Sequence, residues 1–218
     1  MSGRTSEVVA GRDEVAPRPV VGRTTVHAGT VFDLVRDDID LGDAGVVTRE
    51  YLDHPGAVAI VVLDPQDRVL LLRQYRHPVR TVMWEVPAGL LDVDGEPAVE
   101  AAARELAEEA DVVADRWDVL ADYATTPGFS NESVRIFLAR DVHEVPEAER
   151  HERHGEEAEI VTAWVPLDEA VAHVLAGELH NPSAVTGILA AAASRAGGWA
   201  SLRPVEAEWP YRRGVLPD

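Results

Sequence analysis

Three glutamates that lie close together in the sequence, Glu105, Glu108 and Glu109, are the side chains best suited to chemistry. In a helix they crowd within about one turn, and Glu105 and Glu109 point the same way. Like-charged pairs at this spacing destabilise a helix by roughly 0.2–0.5 kcal/mol each, so a purely structural helix favours Lys or Arg among them. A bound divalent cation removes this conflict. Because hard cations prefer carboxylate and phosphate oxygens, the cluster predicts metal-assisted attack on a phosphate ester or anhydride.

The segment 84–111 must position these glutamates, and its pattern predicts a strand, a glycine loop and a helix. Gly89 permits a close approach of the backbone to an ion or a phosphate. Arg104 can pair back to Glu100 or forward to Glu108 and so orient the carboxylates. The apolar stripe predicted for the helix consists of Val99, Ala103, Leu106 and Ala110.

Gly89, Glu96 and the segment Arg104-Glu105-Leu106-Ala107-Glu108-Glu109 resemble the signature of the Nudix hydrolases, which cleave nucleoside diphosphates linked to another moiety. Two departures stand out. The gap between Gly89 and Glu96 is one residue longer than usual, which a loop tolerates. Asp111 stands where the signature has a glycine, at a helix end that favours left-handed backbone. A solvated acidic helix face is the ordinary explanation of such a glutamate string alone, but the upstream glycine and Glu96 favour the functional interpretation.

Composition bounds the fold and the partners. The 218 residues are 46% hydrophobic and can bury a sizeable core. No cysteine is present, which removes disulfides and thiolate metal sites. The net charge of −19 repels nucleic acid and anionic membranes, so we expect neither as a partner. No apolar run predicts a signal peptide or a membrane span, and we expect a cytoplasmic protein.

Four segments are predicted along the chain. Residues 1–22 read as a disordered leader rich in Arg, Glu, Gly and Pro, and residues 23–55 as N-terminal strands for dimerisation and substrate binding. Residues 56–198 form the Nudix hydrolase domain, and residues 199–218 a C-terminal tail. The apolar run 57–63 fits a buried central strand, with the next strand pairing back after a turn.

The order of elements gives the expected fold class. Strands before, around and after a central helix indicate an α/β sandwich with helices flanking the sheet. The family resemblance implies the Nudix-type α/β/α sandwich with a mixed sheet, preceded by a small N-terminal β-sheet.

Substrate choice is read outside the signature. Over roughly residues 24–193 the chain resembles the ADP-ribose diphosphatase branch, in the strings TRE, QYRH, WEVPAG and TTPGFSNE. From the residues alone, Gly89 suits a phosphate and Trp84 an adenine face, although a tryptophan in such a position is more often a core residue. Glu105 and Glu109 are the expected metal ligands. The resemblance further implies that the Ala88 carbonyl binds metal and that substrate contacts come from Arg49, Glu50, Arg76 and Glu85, of which Arg49 taken alone reads as a surface residue.

The catalytic base needs a separate carboxylate, because glutamates bound to metal accept protons poorly. The acid-rich stretch RHGEEAEI precedes a closing strand, and in the resembling branch this loop carries the base. The match points to Glu157 as the residue that deprotonates water, with Glu156 as a neighbour that touches metal or substrate. A solvated acidic loop is the alternative. Glu108, otherwise expected to orient Arg104 and a water, is the next candidate.

The leading function is therefore Mg²⁺-dependent hydrolysis of ADP-ribose to AMP and ribose 5-phosphate, with Mn²⁺ also possible. Two alternatives stay open: the same chemistry on another nucleotide sugar, dinucleotide or nucleoside triphosphate, and a non-catalytic module that senses ADP-ribose. The resembling branch exchanges N-terminal strands between two subunits, so we expect a homodimer.

Overall fold

The computed structural model describes residues 11–153 and 159–212, and within these ranges the chain forms ten strands and three α-helices. None of these helices combines the length and apolar character that a membrane crossing requires. The strands are β1 (Val20–His27), β2 (Asp33–Asp40), β3 (Val46–Asp53), β4 (Ala57–Val62), β5 (Arg68–Arg76), β6 (Thr81–Glu85), β7 (Ala88–Leu90), β8 (Val112–Ala124), β9 (Ser133–Glu144) and β10 (Val161–Pro166). The helices are α1 (Ala98–Ala110), α2 (Leu167–Leu175) and α3 (Pro182–Ala196).

The described strands form three sheets, with the orders β1-β2-β3, β10-β5-β6 and β7-β4-β9-β8. Strands β4 and β9 run parallel, whereas the other pairs are antiparallel. The expected mixed sheet and the small N-terminal sheet are therefore both present.

Strand β4 is the centre of the sandwich, and its side chains alternate between two cores. Val58, Ile60 and Val62 pack with α1, whereas Ala59 and Val61 pack with α2 and α3. All five are fully buried, which confirms the central strand predicted from the apolar run. Helices thus cover both faces, as an α/β/α sandwich requires.

Helix α1 lies on its core face through a stripe slightly rotated from the predicted one. Leu106 and Ala110 are buried as expected, whereas Val99 and Ala103 are only partly buried. Ala101 and Ala102 take their places in the core. Small residues at these positions let the helix approach β4 closely, and this brings its glutamates to the adjacent strand β7.

One strand pairing was predicted wrongly. Strand β5 does not pair back on β4 but lies between β10 and β6 in a different sheet. Their backbones are joined just beyond the end of β4, by a bridge between Leu63 and Val69 and by a hydrogen bond of 3.1 Å from the Asp64 N–H to the Arg68 carbonyl. The reason is that both edges of β4 are already paired, with β7 and with β9.

The N-terminal sheet is built as predicted, with β1 beginning at Val20, inside the predicted leader. It joins the body at the end of β3. There the Leu52 N–H donates to the Phe129 carbonyl at 3.0 Å, and the Asn131 N–H donates to the Leu52 carbonyl at 3.2 Å. The described part of the C-terminal tail lies along β8, where Val119 and Arg203 exchange two backbone hydrogen bonds of 2.8 and 3.1 Å.

Candidate active site

Strand β7 and helix α1 meet at a contact that requires glycine. The Glu105 side chain lies directly against the backbone of Gly89, so that a Cβ at this position would overlap the Glu105 Cγ, Cδ and Oε1 atoms. The Glu105 side chain is only 16% exposed. The Gly89 backbone is therefore closely approached by the Glu105 side chain, whereas its predicted approach to an ion or a phosphate stays a prediction.

Glu109 reaches the neighbouring residue of the same strand. Its Oε2 accepts a hydrogen bond of 2.9 Å from the Ala88 N–H, and the residue is buried. Glu105 and Glu109, one helical turn apart, thus meet Gly89 and Ala88, which are adjacent in β7. The structure brings together the three residues predicted as metal ligands, Ala88, Glu105 and Glu109, with Gly89, which was predicted to bind substrate.

Arg104 links the carboxylates, although through a different partner from the predicted one. Its guanidinium binds Glu96 with two hydrogen bonds of 3.1 and 3.2 Å, and it also contacts Glu105 at 2.7 Å and Glu108 at 3.4 Å. The prediction of Glu100 was wrong, whereas Glu108 is confirmed. Side chains on a helix lean toward its N-terminus, so Arg104 reaches Glu96 in the loop that precedes α1.

These contacts change the ionisation of the glutamates in opposite directions. The Arg104 guanidinium, through its hydrogen bonds, holds the pKa of Glu96 below its usual value. Burial raises the pKa of Glu105, and the Glu108 and Asp92 charges add to the rise, whereas Arg104 opposes it. A buried carboxylate of raised pKa beside other acids is a group that a bound cation would keep ionised.

The residues at this centre fit a hard divalent cation. In residues 11–153 and 159–212, no three or more His, Cys, Asp or Glu side chains are grouped so that they could hold a metal ion by themselves. Buried Glu109 and partly buried Glu105, beside the backbone of β7, make a partial, oxygen-only donor set. This suits a cation that takes its other ligands from water and substrate phosphates.

Arg76 and Glu85 are joined to each other. Two hydrogen bonds of 2.9 and 2.6 Å connect the guanidinium fork to the carboxylate. Glu85 stands opposite Leu72 in the ladder, and Leu72 belongs to the core beneath α1, so Glu85 lies on the α1 face of its sheet. The Glu85 side chain is 3% exposed and that of Arg76 is 42% exposed. The pair therefore presents a fixed cation to solvent.

The structure does not bring Trp84 into this cluster. Neighbouring strand residues point to opposite faces, and Trp84 packs against the core under α2 and α3. There it lines a cavity of about 390 Å³ with Leu71, His173 and Leu179. Its predicted contact with adenine stays a prediction. Its position in the fold matches the alternative interpretation, a residue packed against the core.

Arg49 and Glu50 lie on β3, where successive side chains alternate between the two faces of the N-terminal sheet. Glu50 accepts hydrogen bonds from Arg36, and Arg49 donates to the Thr48 carbonyl at 2.8 Å. In the part of the chain that is described, these side-chain bonds stay within the N-terminal sheet. The structure does not bring Arg49 and Glu50 to the glutamate cluster, and their substrate contacts stay predictions.

Glu156 and Glu157, predicted as the base and its neighbour, lie outside the described residues. Just before them, Arg153 contacts the C-terminal end of α1, where it binds the Glu108 carbonyl and the Asp111 carboxylate. Sequence reasoning missed this contact. The available signal was Asp111 itself, an acid in the place of the signature glycine.

Comparison with known proteins agrees with this geometry. The family model described as NUDIX domain matches residues 53–185. The chain is 46% identical over 189 residues to an ADP-ribose pyrophosphatase of Mycobacterium tuberculosis, covering 87% of this chain and 89% of that protein. It is 31% identical over 162 residues to an ADP-ribose pyrophosphatase of Bacillus subtilis, covering 74% and 85%.

The fold has a counterpart among solved structures. A crystal structure of an ADP compounds hydrolase superposes with a TM-score of 0.66 at 21% identity and covers 86% of this chain and 98% of that one. At this identity the likeness concerns the fold alone. The family match spans the glycine, the acidic helix and the sheets around them, and this chain belongs to the NUDIX domain family.

Proposed function

We propose that this protein is a metal-dependent hydrolase that splits ADP-ribose into AMP and ribose 5-phosphate. The observation that carries the proposal is the meeting of Glu105 and Glu109 with Gly89 and Ala88 on strand β7. Nudix hydrolases generally use divalent metals. The two relatives named ADP-ribose pyrophosphatase support this choice of substrate.

Glu105, Glu109 and the Ala88 carbonyl would hold the cation, and we propose Mg²⁺ as that cation because all three supply hard oxygen ligands. When bound, Mg²⁺ neutralises charge that develops on the diphosphate oxygens and orients them. The contribution of the chain is positional. Arg104 ties Glu105 to Glu96 and Glu108, so the carboxylates cannot turn away from β7 when the site is empty of substrate.

The reaction joins one water to the diphosphate. The water oxygen forms a bond to one phosphorus as the bridging phosphorus–oxygen bond breaks, and the bridging oxygen leaves with the other phosphate. We propose that Glu157 accepts the proton of the attacking water, with Glu156 beside it. A separate carboxylate is needed because Arg104 and the Ala88 N–H already engage Glu105 and Glu109.

The base assignment has its own test. Glu157→Gln should lower kcat by about 10²–10⁴ with little change in KM, because general-base catalysis contributes to the transition state and not to binding. Glu156→Gln is the matched variant one residue away. A loss in Glu156→Gln with near-normal Glu157→Gln exchanges the two roles. Normal rates in both variants would eliminate both, and Glu108→Gln would then be measured.

Substrate recognition is proposed to come from two places. The Arg76 guanidinium, fixed by buried Glu85, is exposed enough to bind a phosphate. Arg49 and Glu50 are proposed to reach substrate from a second subunit of a homodimer. In support, strand β1 and the connection from β1 to β2 carry exposed apolar side chains that a partner subunit would cover: Val20, Val21, Val26, Val31 and Phe32.

The proposed function is tested with a substrate panel. Purified protein with Mg²⁺ is given ADP-ribose, another nucleotide sugar, a dinucleotide and a nucleoside triphosphate, and the products are identified by mass spectrometry. We expect the highest kcat/KM for ADP-ribose, with AMP and ribose 5-phosphate as products. A higher kcat/KM for another compound would replace the substrate, and tight binding of ADP-ribose without turnover would identify a sensing module.

A further inference from the structure

Asp111 ends helix α1 in a conformation that glycine adopts more easily. Its φ of 55° and ψ of 35° are left-handed, and its N–H donates to the Ala107 carbonyl at 3.2 Å. A residue with a Cβ is strained in this region, and a glycine there would relieve the strain. Helix termination therefore does not explain why an aspartate occupies the position.

The Asp111 carboxylate also has an unfavourable environment. Asp111 Oδ1 is fully buried and has no hydrogen-bond partner among the described residues. A buried polar atom without a partner costs free energy of about 1–3 kcal/mol. Two unfavourable features, the backbone conformation and the unpaired oxygen, thus coincide at one residue. Some other interaction must offset them.

Arg153 supplies that interaction. Its Nη2 donates to Asp111 Oδ2, and its Nε donates to the Glu108 carbonyl at 2.8 Å. The side chains of Arg153 and Asp111 are 20% and 21% exposed, so water weakens their ion pair only in part. The Glu108 carbonyl is one of those that an α-helix leaves unpaired at its C-terminus. One guanidinium therefore holds both the last turn of α1 and the residue after it.

The contacts of Arg153 with Glu108 and Asp111 lie next to the candidate active site. Glu108 and Glu109 stand on the turn that Arg153 holds, and Glu109 is a proposed metal ligand.

We propose that Arg153 and Asp111 form a positioning pair for the hydrolysis, a statement that rests on the proposed function. The pair fixes the C-terminal turn of α1, which carries Glu108 and the proposed metal ligand Glu109. In this proposal, Asp111 replaces the signature glycine because its carboxylate is needed to bind Arg153. It strains the helix end and gains a charged partner for Arg153, 42 residues away.

The decisive variant is Asp111→Gly, because glycine relieves the backbone strain while removing the partner of Arg153. We expect a melting temperature equal to or above that of the unaltered protein, together with a kcat for ADP-ribose lowered by about 10–100-fold and little change in KM. Misplacing a catalytic group by about 1 Å can lower a rate about 100-fold. A purely structural residue would not lower kcat while raising stability.

Arg153 is tested from the other side. Arg153→Ala should lower kcat by a similar factor, and Arg153→Lys should recover part of the loss, since Lys keeps the charge but not the two-pronged geometry. In the double variant Asp111→Gly/Arg153→Ala, the losses should be far from additive. The matched control is Arg150→Ala. Arg150 lies in the same segment and donates to the Val145 carbonyl at 3.1 Å without an observed bond to α1, so we expect normal kcat.

The outcomes separate this inference from the proposed function. If the unaltered protein does not hydrolyse ADP-ribose, the proposed function fails and the pair has no such reaction to position. If the unaltered protein is active and Asp111→Gly and Arg153→Ala keep full kcat, the positioning pair is rejected while the function stands. Additive losses, or an equal loss in Arg150→Ala, would also overturn it.

Discussion

In helix α1 the predicted metal-binding carboxylates reach backbone groups of the same chain, whereas in the N-terminal sheet the predicted substrate residues bond within their own sheet. Glu105 and Glu109 are held by contacts with Gly89 and Ala88. Arg49, by contrast, donates to the carbonyl of the residue before it. Under the proposed function, one subunit would organise the metal centre by itself, whereas substrate recognition by the N-terminal sheet would depend on the proposed homodimer.

The largest effect on activity is expected from substitutions of the carboxylates on helix α1. Glu105→Gln and Glu109→Gln should each lower kcat for ADP-ribose by about 10²–10³, because they weaken charge stabilisation in the transition state. Glu100→Gln, in the first turn of the same helix, should stay near normal. The measurement is kcat at saturating Mg²⁺, with circular dichroism to verify the fold. Normal turnover in either of the first two variants rules out that residue as a ligand.

The next effect tests the glycine contact. Gly89→Ala adds a Cβ where the Glu105 side chain lies, so the carboxylate must move. We expect kcat to fall by about 10–100-fold and the Mg²⁺ concentration for half-maximal rate to rise. Gly128→Ala is the control, because it has open space within 4 Å and no positive φ. Equal behaviour of the two variants would show that Glu105 does not need its place against β7.

A smaller effect is expected from substitutions in the N-terminal sheet, and they should mainly change KM. Arg49→Ala should raise KM for ADP-ribose by about tenfold with kcat less affected, because a phosphate or ribose contact binds ground and transition states alike. Sedimentation should show a dimer at micromolar concentration. A monomer with full activity would contradict the dependence on assembly, and an unchanged KM would remove Arg49 from the substrate site.

The smallest effect on activity is expected from the polar network of the N-terminal sheet. Arg23 donates two hydrogen bonds of 2.7 Å to buried Asp37, and Tyr51 donates another of 2.9 Å. The Arg23 hydrogen bonds hold the pKa of Asp37 below its ordinary value of 3.8. Because this folded-state pKa is depressed, the stabilisation is complete above about pH 4 and is lost as the pH falls through the folded pKa.

Arg23→Met should therefore lower the free energy of unfolding at pH 7 by about 1–3 kcal/mol, since Asp37 would remain buried without its cation. Arg36→Ala should change it by less than about 1 kcal/mol, because the Arg36–Glu50 pair is half-exposed. Urea unfolding at pH 7 and at pH 3 measures both. A smaller loss in Arg23→Met than in Arg36→Ala would contradict the burial argument.

The sequence predicted what depends on neighbours in the chain. The acidic helix, the central strand β4 and the strands of the N-terminal sheet follow periods of a few residues, and the structure contains all of them. The pairing of β5 could not be read in this way, because the partners β6 and β10 are chosen by the edges left free around β4. That choice is a property of the whole sheet.

The same division holds inside the candidate site. The contact of Glu105 with Gly89 was accessible through the signature glycine, and the alternation of Arg49 and Glu50 through the period of a strand. The pairing of Arg104 with Glu96 and that of Asp111 with Arg153 could not be derived from sequence spacing. Arg104 reaches back along the helix to Glu96, and Asp111 meets Arg153 from a distant segment. The partners of long side chains depend on the three-dimensional fold and not on spacing in the sequence.

The most direct test of the metal centre is Mn²⁺ binding followed by electron paramagnetic resonance, with the protein saturated by the non-hydrolysable α,β-methylene analogue of ADP-ribose. The unaltered protein and Glu100→Gln should bind Mn²⁺ with the same affinity. Glu105→Gln and Glu109→Gln should each bind it at least about tenfold more weakly, since each removes a charged ligand. Equal affinity in all four proteins would contradict a metal centre built by α1 and β7.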